Sequence, residues 1–476
     1  MCATVILMRP DLVADVSLTP DTTDPRPLPT QLAQQLKTLI TTGLLNAGDH
    51  LPSTRTLAQQ TGVSRGTIVA TYELLIAEGF LVSISGSGTK INPELGKLTT
   101  PAFPHSDGSH PKPPRPTSAE IHLTPGLPDT STIVDATWRA AWRKACTAIA
   151  VTNNAPEAGD LNLRNEISEH LRLMRGLVVE PERIFVTAGS REGLTLFLRA
   201  LPSQHPTAKI VGVEAPGFPS LRRIPESLGF ALHNIATDSA GLNPKELQSL
   251  PDNQSVLITP SHQYPYGGVL SGSRRIAIAH WARDTGSIII EDDFDSELRY
   301  VGQPVPALAA LAPENTVLLG TFSAVVSPAV ACGYLVVPHQ LIPALTHLRS
   351  ISGQPVSSIT QTALTHFMRT GALRRHIVRL RRIYRRRRDS VMAVLTDLPN
   401  ATLLPITGGL HAVLLCTRPA HEIVAECAKS GIHVTALEDY WGGDNAENGI
   451  VFGFGCHDDD TLDFALHEIA HATRSK

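Results

Sequence analysis

Residues 317–338, VLLGTFSAVVSPAVACGYLVVP, carry the reading of the fold. Val317–Gly320 is an apolar run too short for a helix. Thr321 and Ser323 make a turn, Pro328 breaks the loop that follows, and Gly333–Val337 is a second apolar run. Short apolar runs bounded by turn residues, in a chain of this length, suit strands buried on both faces inside a parallel sheet. Similar runs recur at Ile210–Val213, Ser255–Thr259 and Ser287–Glu291, alternating with helical stretches. That alternation predicts an α/β layered body with ligands at the strand ends.

Composition sets the outer limits. A chain of 476 residues, 42% hydrophobic and 18% charged, is ordinary globular protein of two to four domains. Its net charge of −3 gives no whole-chain attraction to nucleic acid. Six scattered cysteines (Cys2, Cys146, Cys332, Cys416, Cys427 and Cys456) form no Cys-x-x-Cys pair, which favours reduced thiols over a disulfide framework or a zinc site. The opening MCATVILMRPDL has too short an apolar run, and no basic start, for a signal peptide. No run approaches the roughly 18 apolar residues of a membrane span, so the expectation is a cytoplasmic protein with no membrane partner.

Residues 1–27 lack periodicity and carry Pro, Thr and Asp, which predicts a flexible arm. Leu32, Leu36, Leu39 and Ile40 then recur at helical spacing up to Gly43. A second helix follows Pro52, over Ser53–Gln60, and Gly62 marks the steep turn into a third. Ser64 is placed to cap that third helix, whose inner face reads Ile68, Tyr72, Leu75 and Ile76. Phe80–Val82 and Thr89–Ile91 read as two short strands around Ser85-Gly86-Ser87-Gly88. This order of elements makes a winged helix-turn-helix over residues 28–92.

In that geometry the first residues of the third helix, Ser64, Arg65, Gly66 and Thr67, meet base edges in the major groove. Arg65 can donate two hydrogen bonds to a guanine edge, and Arg55 can reach phosphate or base from the helix before. The local charge is barely positive: Lys37, Arg55, Arg65 and Lys90 against Asp49, Glu73 and Glu78. Charge therefore does not announce DNA; the element order does. The alternative is a helix-turn-helix used only for protein contacts.

Residues 93–119 are rich in Pro, Ser, Gly and Thr and read as a semi-rigid spacer. The body follows over residues 120–476. Within it, ERIFVTAGSREGLTLFLRAL reads strand, glycine turn, helix, and places Gly189, Ser190 and Arg191 at a helix N-terminus suited to an anion. The run GALRRHIVRLRRIYRRRRDSV has Leu373, Ile377, Leu380, Ile383 and Tyr384 at helical spacing, so its arginines suit a solvated helix face or a domain contact.

These motifs together resemble the MocR-type branch of the GntR transcription regulators, over residues 28–476. The head, from LPSTRTLAQQTGVSRGTIVATYELLIAEGFL to the GSGT wing, resembles the GntR DNA-binding domain. The opening stretch resembles that branch's T-F-S-K-x-L-x-P-x-L-R-L-G-Y, matching at Thr321, Phe322, Ser323, Pro328, Gly333 and Tyr334. IEDDFDSELRY, EAPGFP and TPSHQYPYGGVLS resemble its other pocket motifs, the last keeping His262, Gln263, Tyr264, Pro265 and Gly267. The resemblance implies a fold-type-I aminotransferase-like body: a mixed, mostly parallel sheet between helices with a smaller C-terminal lobe. It implies pyridoxal 5′-phosphate (PLP) as cofactor, with Asp292 paired to the pyridine nitrogen and Phe218 over the ring.

The departures fall on the chemistry. Ala324 stands where the family has its Schiff-base lysine, Ala331 where it has the phosphate-binding arginine, and Phe294 where it has the tyrosine facing the ring hydroxyl. Arg191 stands where it usually has glutamine. The chain has no lysine between Lys245 and Lys429, so the internal aldimine is closed at this position. Nor does any arginine occur between Arg418 and Arg474, where aminotransferases grip a substrate carboxylate.

The expectation is a non-enzymatic, DNA-binding regulator working as a head-to-tail homodimer on double-stranded operator DNA. Its body would serve dimerisation and bind a small-molecule effector, a vitamer or an amino compound. The pocket could hold PLP non-covalently, a preformed PLP–amino-acid adduct, or another small ligand. Two other readings remain: a PLP-dependent aminotransferase with an accessory DNA-binding domain, and a ligand-independent DNA-binding scaffold.

Overall fold

The computed structural model describes residues 14, 16–21, 23–84, 88–97, 120–147, 155–238, 240–302, 305–441 and 447–474. The chain divides into two units, Met1–Pro114 and Arg115–Lys476. In the first, the helices begin where their caps dictate. α1 (Leu28–Thr41) opens after Pro27 with a proline in its first turn. The Ser53 side chain accepts from the Thr56 amide at the start of α2 (Thr54–Thr61), and Ser64 does the same for Thr67 at α3 (Arg65–Ala77). Each such cap contributes about 1 kcal/mol. Gly62, at φ 70°, adopts the left-handed conformation that ends α2.

Leu32, Leu36, Leu57, Ile68, Tyr72 and Leu75 close the core of this head, and the Tyr72 hydroxyl donates to the Pro52 carbonyl at 2.8 Å. β1 (Leu81–Ile84) and β2 (Gly88–Ile91) pair antiparallel as the wing; residues 85–87 at its tip lie outside the described residues.

The structure corrects three expectations here. Ile76 is 39% exposed, because it follows Leu75 by about 100° around the helix and so leaves the buried stripe. The N-terminal segment is not a free arm where it is described. Val16 and Leu18 are buried in the head core, the Ala14 amide donates to the His50 carbonyl, and the Thr19 backbone exchanges hydrogen bonds with Gln35. These contacts come from an extended segment with a two-residue period, which a search for helical spacing passes over. The spacer also starts later than expected: Pro93–Lys97 is a 3₁₀ turn with Leu95 packed on the head core, while residues 98–119 lie outside the described residues.

The second unit is built on an eight-stranded sheet. Its strands are β4 (Ile184–Thr187), β5 (Ile210–Ala215), β6 (Ala231–Asp238), β7 (Gly241–Leu242), β8 (Ser255–Ile258), β9 (Ile288–Asp293), β10 (Thr316–Thr321) and β11 (Gly333–Val336), in the order β4-β11-β10-β9-β8-β5-β6-β7. β11 runs antiparallel to β4 and β10, β7 is antiparallel to β6, and the other pairs are parallel. A second sheet, β12 (Ala401–Leu403), β13 (His411–Cys416), β16 (Gly449–Gly453) and β15 (Thr435–Ala436), forms the C-terminal lobe. β3 (Ile121–His122) pairs separately with β14 (Ile432–His433).

The helices of this unit are α4 (Ala136–Thr147), α5 (Leu161–Arg175), α6 (Ser190–Ala200), α7 (Pro219–Ser227), α8 (Gly272–Thr285), α9 (Leu308–Leu311), α10 (Ile342–Ser352), α11 (Ser358–Arg369), α12 (Ala372–Leu395), α13 (Ala420–Lys429) and α14 (Asp459–Arg474). They cover both faces of the main sheet, whose central strands β8, β9 and β10 are buried throughout. Among the described residues no helix is long and apolar enough to cross a membrane.

The basic helix α12 sorts its arginines by face. Leu373, Ile377, Leu380 and Tyr384 are buried, and the inward Arg387 meets Asp129 at 2.8 Å, Asp459 at 3.1 Å and the Gly455 carbonyl. Arg381 and Arg388 donate to the carbonyls of Glu297 and Ile406. Arg374, Arg375, Arg379, Arg382, Arg385 and Arg386 stay on the solvent side. The helix is thus a contact within the body on one face and solvated on the other.

Candidate functional site

On the head, the five residues read as DNA contacts fall at adjoining helix starts. Arg55 is the second residue of α2, and Arg65, Gly66 and Thr67 open α3. Arg55, Ser64, Arg65 and Gly66 are exposed and Thr67 is half-buried. Neither arginine forms an ion pair with another described residue. The Ser64 hydroxyl is engaged in capping, 3.1 Å from the Thr67 amide and 2.9 Å from the Thr67 hydroxyl, so it anchors the helix start on which Arg65 sits.

On the body, a cleft of about 970 Å³ opens at one edge of the main sheet. The topology explains why so many separate motifs meet there. β4, β5, β8, β9 and β10 all run toward this edge, and the antiparallel β11 starts from it, so the residues just past each strand converge. Gly189, Ser190 and Arg191 follow β4; Phe218 follows β5; Tyr264 follows β8; Asp292 and Phe294 end β9; Thr321 and Ser323 end β10; Ala331 precedes β11. All of these line the cleft. Ala324 does not: it is fully buried in the apolar core with Phe322, Val325, Val326 and Tyr334. The turn carries its methyl into the core, where an aliphatic group gains from burial.

The cleft has a polar and an apolar side. Gly189, at φ 104°, caps α6 without any side-chain hydrogen bond, leaving the first amides of the helix open, and the Ser190 hydroxyl beside them is buried without a partner. Among the described residues, Arg191 and Arg223 are the arginines lining the cleft, and no lysine lines it. Phe218 meets Tyr264 edge-on, with ring centroids 5.2 Å apart at 84°. Thr321 and Ser323 bond each other, at 3.0 Å between hydroxyls. Ala331 has φ 45°, a left-handed backbone that an L-residue holds at a cost of about 1–2 kcal/mol.

Asp292 is the most exacting group in the cleft. It is 5% exposed, and its Oδ1 has no hydrogen-bond partner. Burial, and then the neighbouring charges of Asp293, Asp295 and Glu214, push it well above the usual carboxylate range. Its neighbours are better provided. Asp293 pairs with buried Arg175 at 3.0 Å. Although burial pushes Asp295 up, the His262 ring held 2.8 Å away keeps it below its ordinary value. Of this buried acidic cluster, Asp292 is the member that lines the cleft with an unpartnered oxygen, a carboxyl that a cationic N–H would complete.

Several groups here were missed by sequence reasoning. Arg223, Asp439 and Tyr440 line the cleft from outside every local motif. Glu214 underlies it, accepting from the Thr259 amide at 3.0 Å, and burial pushes it up to about 7. It lies at the head of the EAPGFP motif, whose glutamate was read only as part of a match. For the lobe residues Asp439 and Tyr440, about a hundred residues past the nearest pocket motif, the sequence carries no signal.

A profile of the bacterial regulatory proteins of the gntR family matches residues 28–91. Along nearly its whole length the chain is similar to the HTH-type pyridoxine biosynthesis transcriptional regulator PdxR of Corynebacterium glutamicum, with 52% identity over 461 residues, 97% of this chain and 99% of the relative. The probable rhizopine catabolism regulatory protein MocR of Rhizobium meliloti is 28% identical over 94% of each chain. Among solved structures, an archaeal alanine:glyoxylate aminotransferase matches with a TM-score of 0.68 at 21% identity, over 75% of this chain and 91% of that one. At that identity the likeness is one of fold.

Proposed function

The chain belongs to the GntR family of bacterial transcription regulators, in the MocR-type branch that carries an aminotransferase-like body, and from that premise we propose that the body is a sensor that binds its ligand without covalent attachment. The ligand class is a phosphorylated pyridine vitamer such as PLP. The observation that carries this reading is Asp292: a buried carboxyl with an unpartnered oxygen asks for a cationic N–H, and a protonated pyridine nitrogen supplies one. Phe218 would lie against the ring, while Ser190, Arg191 and the open amides of α6 would take the phosphate. The pyridoxine named in the PdxR relative's description fits the same class.

When linked to a lysine, PLP acts as an electron sink for amino-acid chemistry. Against such chemistry here, Ala324 is buried away from the cleft, and among the described residues no lysine lines it. An aminotransferase with an accessory head is the competing reading, and the missing amine counts against it. What remains to these residues is to bind and orient the ligand. Regulation then follows from differential affinity. A vitamer bound more tightly by one arrangement of a homodimer favours it, and so changes the affinity of the heads for a two-half-site operator in the cytoplasm.

The test uses full-length protein, its thermal unfolding, and borohydride reduction. PLP at about 100 times its dissociation constant should stabilise the chain by about 2.7 kcal/mol. Asp292→Asn should weaken binding by about 1–3 kcal/mol, since it removes one charge-assisted contact in a buried site. Borohydride should leave no pyridoxyl group on the peptide containing Ala324. No stabilisation by any phosphorylated vitamer would remove the sensor reading, and a pyridoxyl-labelled peptide would remove the non-covalent part of it.

A further inference from the structure

The strand that opens the body, β3, pairs in parallel with β14 and sets His122 directly opposite His433. Their backbones are held firmly. The Ile121 amide donates to the Gly431 carbonyl at 2.8 Å, the Leu123 amide to the His433 carbonyl at 3.0 Å, and His457 Nε2 to the His122 carbonyl at 2.9 Å. The two imidazoles stack with centroids 4.3 Å apart and planes 11° from parallel. Glu120 Oε2 lies 3.5 Å from His122 Nε2 and 3.8 Å from His433 Nε2.

These separations are too long for hydrogen bonds. They are close to the roughly 3.3–3.4 Å that separates neighbouring ligands of a tetrahedral ion with bonds of about 2.0–2.1 Å. All three donor atoms lie within 4.8 Å of one another. A second, independent sign is that His433 Nε2 is shielded from solvent and has no hydrogen-bond partner. Two imidazole nitrogens and one carboxylate oxygen make a donor set that suits zinc and its borderline neighbours, and suits magnesium or calcium poorly.

We propose that Glu120, His122 and His433 bind a divalent cation of the zinc class. The rings face one another rather than converge, so binding turns them about their Cβ–Cγ bonds while the paired strands stay in place. All three side chains are partly exposed, which leaves the fourth position to water and makes the ion exchangeable. The location gives it a consequence. His122 stands two residues from Thr124 and His433 two residues from Thr435, and both threonines line the cleft. The ion ties the first strand of the body to its C-terminal lobe at the cleft rim and so stiffens that rim.

The experiment takes full-length, tag-free protein stripped with EDTA and titrates it with zinc chloride by calorimetry, then with cobalt(II) by visible absorbance. One equivalent per chain is expected. The His122→Gln/His433→Gln double variant should lose that step, and so should Glu120→Gln in large part. Unchanged melting in EDTA would establish that the variants are folded. Cobalt(II) should give ligand-field bands without thiolate charge transfer. Retention of the one-equivalent step by the double variant overturns the proposal, as does a cobalt spectrum dominated by thiolate, which would point to a cysteine such as the nearby Cys456.

Discussion

Replacing Glu214 by glutamine should make the body more stable at high pH and leave it nearly unchanged at low pH. Glu214 is buried under the cleft, and burial raises its pKa from 4.5 to about 7, against hydrogen bonds from Thr259 and Gln263 that favour the charged form. The folded chain therefore keeps this proton where the unfolded chain has released it. The stability the proton confers is complete below about 4.5, declines as the pH rises toward about 7, and is gone above it. The gap of about 2.5 pH units, at 1.36 kcal/mol each, sets a ceiling of about 3 kcal/mol on the effect. Glutamine keeps the shape and an acceptor for the Thr259 amide but carries no charge. Melting of wild type and Glu214→Gln, measured side by side from pH 5 to pH 8.5, cancels the contributions of all other groups. The variant should gain on the wild type from pH 5 to about pH 7 and hold a constant lead above that. A difference that is the same at pH 5 and pH 8 would refute the reasoning, because it would mean that Glu214 titrates alike in both states.

Two other substitutions probe the head and the cleft. Arg65→Ala should cost about 1–3 kcal/mol on the operator and relax one base position, measured by binding to a panel of operator variants; an equal loss on random DNA would make Arg65 a phosphate contact instead. Ala324→Lys should give only weak, reversible attachment of PLP by visible absorbance, tightened by adding Ala331→Arg and Phe294→Tyr, each restored polar contact being worth about 1–3 kcal/mol. The lysine must leave an apolar core to reach the cleft, whereas Ala331 already holds the left-handed backbone, so the arginine adds no new backbone strain. If Arg191 already supplies the phosphate charge, the single variant should bind PLP well and Arg191→Gln should abolish the gain.

The inner strands of the main sheet were legible because they are short, continuous apolar runs, and a strand buried on both faces needs nothing else; the half-exposed β6, ALHNIATD, and the two-residue β7 at its edge carry no such run and were not read. The cleft was legible in pieces, since Asp292, Phe218, Tyr264 and Ser190 each sit at or just past the end of a strand within a local motif. What stayed hidden depends on partners far away in the chain. Tyr440 and Asp439 reach the cleft from the C-terminal lobe, and no spacing near them says so. Val16 and Leu18 pack on the head as an extended segment whose two-residue alternation is too brief to stand out. The destination of Ala324 was hidden as well: the sequence names a methyl group, while its burial in the core belongs to the turn around it.

The knot at Arg387 also governs the order in which the protein can be made. Its guanidinium joins Asp129, 258 residues earlier, to Asp459, 72 residues later. Neither the early turn around Asp129 nor the long basic helix can reach its final setting until the ribosome has delivered α14. The head faces no such wait, for its wing strands pair within ten residues of each other and, among the described residues, its core extends no further than Leu95. During synthesis the DNA-reading head can therefore close while the body is still an incomplete sheet. A chain that stalls before α14 would carry a finished head on an unfinished body.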